Sequence, residues 1–198
     1  LGSHRGCGST HVAVSLTCEL NILGYHGIYI DSAKSVLYHG NHDGLQIFKQ
    51  KNGYYYYKSF QGIPDYSDGI QFNIPKDAIQ IYDLGTDVCN EKIYDMDLVL
   101  YVCNGSFWHL NDIYRNHSIL KKMTASLSVI CNMCSRQDAS AIAALLNCSV
   151  YHFPYDSDMF KSSVQKETLI QKLLELKGGA SLSDTLKGYL RKSILHHS

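Results

Sequence analysis

Leu23–Gly40 reads LGYHGIYIDSAKSVLYHG, and its reading decides the fold expected of the whole chain. Gly-Ile-Tyr-Ile is rich in strand formers, Asp31-Ser32-Ala33-Lys34 has turn chemistry, and Ser-Val-Leu-Tyr is strand-like again. The stretch therefore predicts two paired strands, with His26 at the entrance and His39 at the exit. Imidazoles at the open ends of paired strands suit a general base and its orienting partner. They suit ordinary surface histidines at strand ends equally well.

Working outward, His11–Leu16 (HVAVSL) predicts a strand before the hairpin. Residues 1–10, LGSHRGCGST, read as a flexible lead-in, and Gly2-Ser3-His4 has the composition of a cloning remnant. A start at Leu1 rather than methionine reads as a fragment or a processed product. Downstream, Asn41–Gly44 is a turn. Leu45–Lys49 and Tyr54–Phe60 form a hairpin around Asn52-Gly53, and Gly62–Gly69 is a loop. Strand-like pieces recur over Ile70–Leu84, broken by Pro75; within them Asp77–Asp83 fits either a strand or a short helix. Asp95–Cys103 predicts a buried strand, Ser128–Ile130 a short apolar approach and Cys148–Phe153 a last strand. Helices are predicted over Ser106–Met123, Ser135–Asn147, Met159–Lys177 and Leu182–Leu195. Strands first and helices later make the class α+β, an antiparallel sheet from the N-terminal half packed with helices from the C-terminal half. The expected organisation is a lead-in at 1–10, an α+β domain at 11–158 and a helical pair at 159–198.

Composition narrows the function classes. The chain has 198 residues, 45% of them hydrophobic, with 18 basic and 18 acidic side chains. That is enough chain for a sizeable core, and a net charge of zero argues against an electrostatic nucleic-acid binder. Seven cysteines, an odd number at scattered spacing, favour a reducing, cytoplasmic setting over a disulfide framework. No apolar run of about 20 residues and no signal peptide is visible.

Cysteine with histidine is the leading chemistry. Cys134 stands at the start of a predicted helix, where the macrodipole favours a thiolate. Cys131 and Cys103 are alternatives, and each of the three fits a small buried hydrophobe as well. A competing reading takes Cys131-x-x-Cys134 and Cys148-x-x-x-His152 as four zinc ligands in two close pairs. The two readings exclude each other, because a zinc-bound Cys134 is no nucleophile. Pro64-Asp65 with Lys76 is a weak metal-nuclease pattern. No GxGxxG, Walker A, GxSxG or HExxH pattern is present.

STHVAVS, then GYHGIYID, then SVLYHG resembles the histidine box of the lecithin:retinol acyltransferase-like family, the circularly permuted branch of the papain-like cysteine hydrolases. The resemblance covers residues 9–40 and, less closely, 126–147, where CNMCSRQD stands in place of the family's Asn-Cys-Glu-His-Phe. It implies a permuted papain-like fold, with His26 as base, His39 as orienter and Cys134 as nucleophile. The implied activity is a thiol hydrolase or acyltransferase working through a thioester on a lipid or protein substrate, and a viral origin is within the family's range. A papain-ordered alternative would use Cys7, His152 and Asp156. The competing function is a non-enzymatic interaction domain with a structural zinc site, its C-terminal helices serving a protein partner.

Overall fold

The computed structural model describes residues 1–42, 47–65, 72–124 and 126–177. The predicted first strand is present as β1 (Gly27–Asp31), and all five of its residues are buried. A strand enclosed on both faces suits a parallel sheet covered by helices. Indeed β1 runs parallel to β4 (Phe60–Pro64) on one side and to β5 (Ile79–Asp83) on the other.

The predicted hairpin does not form. The Asp31 carboxylate accepts from the Ser35 N–H and the Leu37 N–H, each at 2.8 Å. These bonds satisfy amides at the start of a helix, α2 (Val36–His42), where a second strand was expected. His11–Leu16 is likewise helical, inside α1 (Ser9–Ile22). Every residue of α1 from Val12 to Leu20 is buried. A helix enclosed on all sides carries no polar stripe, so its apolar run passes for a strand.

The hairpin about Asn52-Gly53 is found, as β2 (Lys49–Lys51) and β3 (Tyr54–Tyr57). Both turn residues have positive φ, 53° and 81°, the backbone that a two-residue hairpin loop requires. With β4 antiparallel to β3, the sheet order is β2-β3-β4-β1-β5. A second, wholly parallel sheet follows, in the order β6 (Val99–Cys103), β7 (Leu127–Cys131), β8 (Val150–His152). Its crossovers are α3 (Leu110–Met123), entered by a 3-10 turn at Phe107–His109, and α4 (Arg136–Leu146). Helix α5 (Val164–Lys177) packs on α1. Met159–Ser163 of the helix predicted over Met159–Lys177 is not helical, because the Asp158 carboxylate caps the Phe160 N–H in a local turn.

The chain is thus α+β with mixed sheets. The expected all-antiparallel N-terminal sheet gives way to parallel pairings: of the two segments taken for strands, α2 lies in the connection from β1 toward its parallel neighbour β4, and α1 packs on the sheet ahead of β1. Residues 1–3 are ordered between the two sheets. Gly2 pairs in parallel with Val102, its N–H donates to the Gly85 carbonyl at 2.6 Å, and the Ser3 N–H donates to the Val102 carbonyl at 2.8 Å. Below them an apolar cavity of about 180 Å³ lies between β5 and β6. The helix expected at 182–195 lies outside the described residues, as do Asp43-Gly44 of the first turn and 66–69 of the loop. Among the described residues, no helix is long and apolar enough to cross a membrane.

One buried group makes stability depend on pH. His117 on α3 is 3% exposed and packs near the Tyr101 ring. Burial first, and then Lys121, hold its pKa below the usual imidazole value of 6.5. Below that value the unfolded chain takes up the proton before the folded one, so stability falls as the solution is acidified. Thermal melts from pH 7.5 to pH 5 should show a falling Tm. The slope should flatten in His117→Gln, and an unchanged slope would remove His117 as the source.

Candidate functional site

The glycine-rich segment Gly6-Cys7-Gly8 feeds directly into α1. Gly6 and Gly8 both have φ of +83°, and Gly8 is the left-handed N-cap of the helix. No side chain caps this end, and the first turn holds no acidic residue. The free amides of the first turn and the positive end of a 14-residue helix therefore face the loop. A side chain at Gly8 would collide with the Asn132 amide, whereas one at Gly6 would meet nothing within 4 Å. Asn132 is fully buried and donates from Nδ2 to the Cys7 carbonyl at 3.1 Å, so the loop rests on the segment that follows β7.

Two carboxylates lie under this loop at the C-terminal ends of parallel strands. Asp31 ends β1 and Asp83 ends β5; they are 3% and 1% exposed. Thr10, in the first turn of α1, donates its hydroxyl to Asp83 Oδ2 at 2.6 Å. Tyr29 donates to the same oxygen at 3.0 Å, and the Gly85 N–H donates to Oδ1 at 3.1 Å. Ser35 sits between the acids, with Oγ 3.0 Å from Asp31 Oδ1 and 3.1 Å from Asp83 Oδ2. Its one hydroxyl proton is shared within this cluster, where the Tyr29 hydroxyl also lies 2.9 Å from Oγ. Burial and the two carboxylates push the Tyr29 phenol well above its ordinary range, which keeps it a donor. Among the described residues, no lysine or arginine forms an ion pair with either acid. Two buried carboxyl groups hydrogen-bonded by hydroxyls and amides offer the oxygen ligands that a hard divalent cation takes.

A glycine loop, a helix N-terminus, a threonine and a strand-end aspartate are the parts of a phosphate-binding loop of the GxxxxGK[ST] kind. When that pattern is laid on Gly8-Ser9-Thr10, Ser3 falls at its first glycine and Ser9 at its lysine. The basic residues nearby in sequence are His4, Arg5 and His11, and burial holds both imidazoles below their usual value, toward the neutral form. Arg5 is exposed, and the His4 ring stacks on His109 at 3.7 Å.

The residues predicted for thiol chemistry lie elsewhere. His26 is half-buried just before the N-terminal end of β1, and exposed His39 is on α2 with its ring edge-on to Tyr38. Cys134 follows the C-terminal end of β7, where its Sγ lies 2.9 Å from Cys131 Sγ. Burial and hydrogen bonding to Cys131 push the Cys134 thiol up, away from a reactive thiolate. His152 directs Nε2 to the Cys134 carbonyl at 2.9 Å, and Cys148 packs against the core around α4. Cys7 is buried in the glycine loop.

No family model and no curated protein matches the chain. Solved structures do. A ParA family ATPase from Chlorobium tepidum TLS aligns over 96% of this chain and 95% of its own, at TM-score 0.54 and 15% identity. A putative plasmid partition protein from Borrelia burgdorferi B31, bound to AMPPNP, aligns over 89% and 95%, at TM-score 0.56 and 12% identity. A plasmid partition protein from Borrelia burgdorferi aligns over 88% and 95%, at TM-score 0.58 and 13% identity.

The chain has the ParA fold. This overturns the permuted papain-like resemblance and, with it, the thiol hydrolase or acyltransferase, the thioester, the lipid substrate and the viral origin. The zinc alternative goes as well, because among the described residues no group of three or more His, Cys, Asp or Glu side chains is placed to hold a metal. Residues 4–10, most of which the sequence suggested were a lead-in, instead form the glycine loop and first turn of α1 above Asp31 and Asp83. The available signal was Gly-x-Gly-Ser-Thr ahead of an apolar run, followed by two apolar strands that each end in aspartate, GIYID and IQIYD. The absent lysine hid it.

Proposed function

We propose that this chain is a nucleotide-binding domain of the ParA fold that holds a magnesium–nucleoside triphosphate on Gly6–Thr10, with Thr10 and Asp83 at the cation. The Thr10–Asp83 hydrogen bond at 2.6 Å carries the reading, since it aligns the hydroxyl that a P-loop offers to magnesium with a strand-end carboxylate. The AMPPNP bound to one Borrelia neighbour supports it. The bound cation would neutralise charge on the phosphates. The chain's own loop amides would orient them, and Asp31 and Ser35 would hold the Asp83 side in place.

Ser9 supplies no positive charge to the transferring phosphoryl group, so turnover is slow and the domain works by binding. Its nucleotide state governs association with a protein partner in the cytoplasm. Calorimetric titration with Mg²⁺ and AMPPNP tests this. Binding should require Mg²⁺, disappear in EDTA and weaken at least about tenfold in Thr10→Val, the loss of one charge-assisted contact. No binding at millimolar AMPPNP with Mg²⁺ present would overturn it.

A further inference from the structure

We propose that Cys131 and Cys134 form a reversible dithiol–disulfide pair that controls the segment on which the glycine loop rests. The effect on nucleotide depends on the function proposed above; formation of the disulfide does not.

The segment between the two cysteines is fixed at both ends. Cys131 closes β7: its carbonyl accepts from the Phe153 N–H at 2.8 Å, and the next amide, of Asn132, donates to the Cys103 carbonyl at 2.8 Å. After Cys134, Ser135 opens α4 with a capping box, in which its side chain and that of Asp138 each satisfy the other's backbone amide. The chain turns between these points through Met133, at a φ of +51°. The turn brings the two thiols face to face at 2.9 Å. A sulfur–sulfur bond is about 2.05 Å, so the sulfurs need to close by less than about 1 Å. Cys131 is fully buried and Cys134 partly exposed, which sets the order of attack. Cys103, the other thiol beside Cys131, is fully buried.

A low-molecular-weight disulfide such as oxidised glutathione is the oxidant. The Cys134 thiolate attacks one of its sulfurs; that S–S bond breaks and one glutathione thiolate leaves with the bonding pair. The Cys131 thiolate then attacks the Cys134 sulfur of the mixed disulfide and expels the second glutathione thiolate. The protein pair is oxidised by two electrons, the glutathione disulfide is reduced by two, and the two cysteine protons pass to the departing thiolates. Hydrogen bonding with Cys103 and then burial hold the Cys131 thiol protonated, and burial and then Cys131 do the same for Cys134, so the exchange is slow at neutral pH and faster in alkali.

The consequence reaches the loop through Asn132 and Met133. Asn132 holds the Cys7 carbonyl and packs against Gly8, and Met133 lies against the same glycine. Drawing Cys134 toward Cys131 moves the two residues between them and loosens that support.

The test uses the full chain in a Cys89→Ser background, because Cys89 is exposed and would react on its own. After equilibration with reduced and oxidised glutathione at pH 8.5 and alkylation, peptide mass spectrometry should show the 131–134 peptide short by two hydrogens. Dithiothreitol should reverse this, and Cys134→Ser should leave Cys131 as a free thiol. Affinity for Mg²⁺–AMPPNP should fall about threefold to tenfold on oxidation, the range for one hydrogen bond. Two alkylated cysteines, or Cys134 stopping at a glutathione adduct, would overturn the pair. A disulfide with unchanged affinity would overturn its coupling to the loop. A chain that binds no nucleotide would sink the proposed function, while the mass result still decides the disulfide.

Discussion

Ser9→Lys should strengthen binding of Mg²⁺–AMPPNP about tenfold to a hundredfold and raise triphosphate hydrolysis above that of the unsubstituted chain. Ser9 is the first residue of α1, directly before the threonine that pairs with Asp83. A phosphate-binding loop places at this position a lysine that reaches the terminal phosphates. The chain keeps the backbone curvature, the helix end, the threonine and the acid, and lacks that one charge. A hydrogen bond to a charged group contributes about 1.5–3 kcal/mol, which converts to roughly 10- to 150-fold in affinity. Charge stabilisation of the transferring group adds to the rate on top of binding. Calorimetry and phosphate release measure the two effects separately. An affinity within twofold of the unsubstituted chain would mean that Ser9 does not face the phosphates, and the loop reading would fail with it.

The second large effect concerns Gly8. Gly8→Ala should cost about 2–5 kcal/mol in urea unfolding and remove nucleotide binding. Two terms add. A non-glycine residue at a φ of +83° is strained by about 1–2 kcal/mol. The new methyl also strikes the Asn132 side chain, which is fully buried and tied to the Cys7 carbonyl, and overpacking of that kind costs about 1–3 kcal/mol more. Gly6→Ala is the control. It has the same φ and open space around it, so it carries only the strain. Equal costs for the two variants would show that Asn132 does not brace the loop.

The elements that could be read locally were those whose pattern is local. The Asn52-Gly53 turn demands positive φ at both positions, and a hairpin forms there. Helix α4 begins at Ser135 because a serine followed three residues later by an acid makes a capping box. Strands β1 and β6 are short apolar runs rich in β-branched and aromatic residues, and they are strands. Val36–Tyr38 has the same local look and is helical, because a carboxylate at Asp31 offers its amides a cap.

The candidate site was illegible for a related reason. Gly2–Thr10 is polar and glycine-rich, the composition of a loose tail, and its order comes from pairing with Val102 and Gly85, about a hundred residues away. Asp31 and Asp83 are separated by 52 positions, and only the parallel register of β1 and β5, which sets Asp31 against Asp83, brings them together. The sequence by itself determined the strand β1, the hairpin at Asn52-Gly53 and the helices α3 and α4, since propensity and turn chemistry act within a few residues. The tertiary structure alone decided that α1 is a helix behind a glycine loop and that Thr10 meets Asp83. Burial on every side erases the periodicity of a helix, and a parallel sheet joins residues that no short-range pattern connects.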